Sequence, residues 1–124
     1  MEGGSFELLA ASLRADARDL DTFLEALATK LSAAFPDSTR VERKGFRGSG
    51  RVRAIDVELG EHRYHLERES SGPSCSRART VRGIVLKNDE LGLDAWIDAL
   101  AQDVSETAEQ SERGRVALER LLHE

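Results

Sequence analysis

The chain has 124 residues and a net charge of −5, with 40% hydrophobic and 33% charged side chains, the make-up of one globular domain over residues 1–124 that buries roughly two thirds of its unfolded surface. That apolar content excludes a disordered chain, no window approaches the roughly 18 uninterrupted apolar residues of a membrane span, and no basic run followed by an apolar stretch marks a leader. Cys75 is the only cysteine, which excludes an intramolecular disulfide and agrees with a cytoplasmic protein; heavy use of Arg, Ala, Leu, Asp and Glu over Lys, Asn and Ile suggests a bacterial source.

Residues 1–5 read as a loose start, with Ser5 placed to cap a helix. From there Phe6, Ala10, Leu13, Ala17, Leu20, Leu24, Leu27, Leu31 and Ala34 recur at helical spacing, and Phe23 and Phe35 widen the stripe. Asp19 and Asp21 beside Thr22 are placed to cap a second helix, so a kink falls near residues 18–22. Pro36 ends the segment, because the residue before a proline is pushed out of the α region.

The period then becomes alternating and predicts four strands in an antiparallel meander. The first covers Thr39–Lys44, and a glycine-rich loop over 45–50 follows it. The second is Arg51–Leu59, joined by the turn Gly60-Glu61 to a third over His62–Glu69, with Tyr64 and Leu66 on its buried side. After a turn over 70–74, the fourth runs through Ser76–Lys87. Asn88, Asp89 and Glu90 break the pattern. A helical stripe of Leu93, Trp96, Ile97, Leu100, Ala101 and Val104 leads to one long C-terminal helix or two shorter ones, with Ser111 placed to cap the second. The fold class is therefore α+β, with the helices packed on one sheet face.

Charge is segregated along the chain: residues 1–37 carry −4, residues 38–88 carry +6 and residues 89–124 carry −7. The basic density peaks in the first hairpin, where Arg40, Arg43, Lys44, Arg47, Arg51 and Arg53 stand against one acidic residue, Glu42. With Phe46 at the tip, such a hairpin is able to grip a phosphate backbone; equally, its arginines can pair with carboxylates of the acidic helices. Arg43, Lys44, Phe46, Arg47, Arg51 and Arg53 are the candidate partner-binding residues.

Catalytic and metal signatures are missing from the sequence. His62 and His65 are three apart on a strand and so point to opposite faces, where they cannot share an ion. Gly45 and Gly48 spell a G-x-x-G, and Lys44-Gly45-Phe46 begins like a nucleic-acid-binding motif, but the loop joins strands and no helix follows it to cradle a phosphate. No nucleophile elbow flanks a serine, and Cys75 has no partner at metal spacing. No enzyme and no cofactor is expected.

The order helix, meander, helix in a small acidic chain resembles bacterial secretion chaperones and related adaptor domains, a likeness of fold alone. It implies a non-enzymatic module that binds another protein, with nucleic-acid or anionic-ligand binding through residues 40–53 as the alternative. The width of the N-terminal stripe, with Leu8, Leu9 and Phe23 flanking it, predicts a homodimer through the helices.

Overall fold

The computed structural model describes residues 2–16, 19–45, 50–110 and 112–123. In chain order they form α1 (Glu2–Asp16), α2 (Leu20–Ala34), β1 (Thr39–Arg43), β2 (Val52–Leu59), β3 (His62–Glu69), β4 (Gly72–Val81), β5 (Ile84–Leu91), α3 (Leu93–Gln110) and α4 (Glu112–His123). The strands make one antiparallel sheet in the order β1-β2-β3-β4-β5.

The class and the meander agree with the sequence, but the sheet has five strands where four are expected. The expected fourth strand is two, folded at Arg82-Gly83. Both residues hold positive φ, +54° and +81°, the backbone of a two-residue hairpin turn. Asn88, Asp89 and Glu90 consequently lie inside β5, and the expected turn over 70–74 shortens to Ser70-Ser71, with Gly72 and Pro73 already in β4. At the N-terminus, α1 takes in Gly3, Gly4 and Ser5, where the sequence suggests a loose start. The proposed cap at Ser111 lies outside the described residues.

The N-terminal stripe divides where a kink is expected. The Asp19 carboxylate accepts hydrogen bonds from the backbone N–H of Asp21 at 3.0 Å and Thr22 at 3.4 Å, which caps α2. Phe35, next to Pro36, closes the other end.

The helices cover one face of the sheet in two tiers. α2 and α3 lie on the strands, α1 packs chiefly on α3, and α4 packs on α3 and α2. The core between them holds Phe23, Leu24, Leu27 and Leu31 of α2, Ile55, Val57 and Leu59 of β2, Tyr64 and Leu66 of β3, and Trp96, Ile97 and Leu100 of α3, all buried. Of the three residues flanking the N-terminal stripe, Leu9 and Phe23 are buried and Leu8 is exposed. Among the described residues no helix is long and apolar enough to cross a membrane.

The other face is polar. Opposite Glu42 and Arg43 in β1, strand β2 presents Ala54 and Val52, leaving Arg53 as a bulge. The extra residue lets Val52 face the core while Arg53 swings to the open face, where it donates to Glu42 at 3.1 Å and Glu67 at 3.5 Å.

Candidate partner-binding site

The basic hairpin is stitched to the chain's own carboxylates. Arg43 donates to Glu25 of α2 at 3.1 Å and to the Gly50 carbonyl at 3.2 Å. Arg51 donates to Asp21 at 3.1 Å, and Arg68 of β3 reaches the same carboxylate. Arg53 bridges Glu42 and Glu67 as above. The Arg68 hydrogen bond, with both arginines beside it, holds the Asp21 carboxyl below the usual carboxylate range. Glu25 is likewise lowered, first by the Val52 N–H that it accepts at 3.0 Å and then by Arg43. At the loop's base, Gly50 donates to the Lys44 carbonyl so closely that a Cβ there would stand 2.3 Å from that oxygen; only glycine fits. Lys44 is exposed. Phe46 and Arg47 lie outside the described residues. Of the six candidate residues, three are thus engaged within the molecule.

Two polar clusters lie elsewhere on the sheet. On the helix-facing side, His62 Nδ1 sits 2.8 Å from the Asp103 carboxylate of α3. The buried Tyr64 hydroxyl contacts that carboxylate and lies 2.9 Å from the Ala99 carbonyl. Burial first, then Asp103, drives the Tyr64 phenol well above its ordinary range. This cluster ties β3 to α3. On the open side, His65 Nδ1 is 2.8 Å from Asp56 and Nε2 is 3.0 Å from Glu67. Only the imidazolium carries a proton on both nitrogens. Burial of the ring lowers its pKa, and the hydrogen bonds to Glu67 and Asp56 outweigh that, so the net shift is upward. The two histidines do face opposite sides, and among the described residues no group of three or more His, Cys, Asp and Glu is placed to hold a metal.

Cys75 is buried opposite Leu66. Burial pushes its thiol up to about 11, against the lowering that nearby arginines would cause. A shallow cleft of about 320 Å³ runs over the open face between Asp37, Arg40, Asp56, Glu58 and Arg63; Arg63 is held there by Glu58 at 2.8 Å and Asp56 by His65.

Among the described residues, β5 carries exposed apolar side chains that no internal contact covers. It pairs on one side only, with β4, so the backbone along its other side forms an edge. It begins with Ile84, Val85 and Leu86, which are 64%, 52% and 58% exposed. The other exposed large apolar residues among those described are Leu8 and Val116, one each on α1 and α4. A register shift between Arg79 and Thr80 leaves Leu86 as an extra residue in β5, after which Lys87–Leu91 run regularly beside β4. The sequence pattern sets Ile84, Val85 and Leu86 inside one long strand over Ser76–Lys87. The signal that could have found them is the unbroken apolar run directly after Arg82-Gly83, since a half-buried strand should alternate.

Comparison with protein-family models, with curated proteins and with solved structures finds no match for this chain.

Proposed function

We propose that this chain is a non-enzymatic protein-interaction module that takes its partner as an added strand on the β5 edge. The observation that carries the reading is the run Ile84-Val85-Leu86, exposed on an unpaired edge. Natural sheets protect such edges with charge, proline or a covering element, because free N–H and C=O groups recruit other strands. β1, the opposite edge, follows that practice: it is five residues long and carries Arg40, Glu42 and Arg43. β5 is eight residues long and opens with three apolar ones. Strand addition uses the free backbone for affinity and the exposed side chains for selectivity.

The alternative, an anion gripped by residues 40–53, draws less support. Arg43, Arg51 and Arg53 already have carboxylate partners, which an anionic ligand would have to displace.

The test compares the wild-type chain with an Ile84→Lys/Leu86→Lys double variant as bait in extracts of the native host. The expected outcome is a protein retained by the first and lost by the second, with the circular dichroism of both baits the same. Equal retention by both would overturn the reading.

A further inference from the structure

Resting on the reading of β5 as the binding edge, we propose that one occupant of that edge is β5 of a second copy of this chain. The two strands run antiparallel about a two-fold axis at Asn88, joining two five-stranded sheets into one.

The first argument is coverage. Ile84, Val85 and Leu86 are consecutive, and successive side chains of a strand point to opposite faces. A helix or a flat surface laid on one face would leave part of the run in water. A strand added along the edge reaches both faces. Among the described residues the helices offer a second copy the isolated Leu8 and Val116 as exposed large apolar side chains, and the edge at β1 offers none.

The second argument is charge register. A two-fold axis perpendicular to the sheet sets each residue before the central one opposite its counterpart after it, and sets the central residue opposite itself. An axis at Lys87, Asp89 or Glu90 therefore opposes like charges, which is destabilising in a cross-strand pair. An axis at Val85 or Leu86 draws the Arg82-Gly83 turn into the pairing and centres it in or beside the bulge. The axis at Asn88 centres the pairing in the regular span after the bulge and sets Lys87 opposite Asp89 of the second copy, twice by symmetry. Within one chain Lys87 lies 3.7 Å from its own Asp89, with the lysine side chain 70% exposed, so it is free to exchange one carboxylate for the other.

The experiment has two arms. In a Cys75→Ala background, Asn88→Cys should form a covalent dimer under mild oxidation by glutathione. Directly opposed strand residues lie roughly 4.5–5.5 Å apart between Cα atoms, within disulfide reach; Ser32→Cys, exposed on α2, is the control that should remain a monomer. In the second arm, light scattering of the unmodified chain should give twice the 13.7 kDa of one copy. Asp89→Lys, which opposes lysines, should weaken the dimer about tenfold or more, and Lys87→Asp/Asp89→Lys should restore it.

A mass near 13.7 kDa at tens of micromolar would overturn the proposal, as would a dimer indifferent to Asp89→Lys that fails to cross-link at position 88. If the chain is monomeric while Ile84→Lys/Leu86→Lys still loses a partner, self-pairing fails and the binding-edge reading stands. Loss of neither association in that double variant removes both.

Discussion

Tyr64 and His65 are neighbours in sequence and opposites in environment. Tyr64 is fully buried, and its hydroxyl meets a carboxylate that also engages His62. Tyr64→Phe keeps the ring packing against Trp96 and removes one hydrogen bond to a charged group, so urea denaturation should show a loss of about 2 kcal/mol. His65, clamped between Asp56 and Glu67, has a raised pKa. Its contribution to stability is therefore fully present below its unfolded value near 6.5 and is lost as pH rises through the folded value. His65→Asn should accordingly destabilise most below about pH 6.5, with the gap to wild type closing as pH rises through the raised folded value in a series of denaturant midpoints. A gap that widens with pH would contradict the clamp. The opposite facing of His62 and His65 was legible from strand periodicity alone. Their carboxylate partners were not, because Asp56, Glu67 and Asp103 look like any other acidic residue until register and helix packing place them.

At the scale of elements, the split at Asp19 was readable because a capping side chain leaves a signature in its own neighbourhood, whereas the split at Arg82-Gly83 was not. Hairpin turns of this kind favour Asn-Gly or Asp-Gly, since the first position must tolerate positive φ. Arginine at +54° conceals the signal, and the sequence pattern then runs on to Lys87. The helical tiers were illegible for a different reason: a wide apolar stripe records that surface must be covered and not which element covers it. Arg82→Asn places a residue more at ease in the left-handed region and should stabilise the chain by about 0.5 kcal/mol. Gly83→Ala, at φ +81°, should destabilise it by about 1 kcal/mol or more. Thermal melts of the pair test the hairpin directly; equal midpoints for both variants and wild type would mean the turn is not formed.

Over the whole molecule, a basic middle segment lies between two acidic ends, and the fold converts that order along the chain into ion pairs between layers. The sequence showed the charges and left open whether they face a partner or one another. Arg43 with Glu25, and Arg51 and Arg68 with Asp21, join the sheet to α2, while Arg14 joins α1 to Asp94 and Asp98 of α3. A net charge of −5 taken alone predicts self-repulsion, so that salt should stabilise the protein. The arrangement predicts the reverse. Across the α2 junction the near neighbours are charges of opposite sign. Near pairs on a surface still weaken when the Debye length falls from about 30 Å at 0.01 M to about 3 Å at 1 M. Each exposed pair is weak, but these act together across the α2 junction. The thermal midpoint should therefore fall by a few degrees as sodium chloride rises from about 0.01 to about 0.5 M. Arg43→Ala/Arg51→Ala should start lower and show a flatter salt dependence. A wild-type midpoint that rises throughout that range would mean that the arginines do little to hold the sheet to α2, and would return residues 40–53 to consideration as a surface for an external anion.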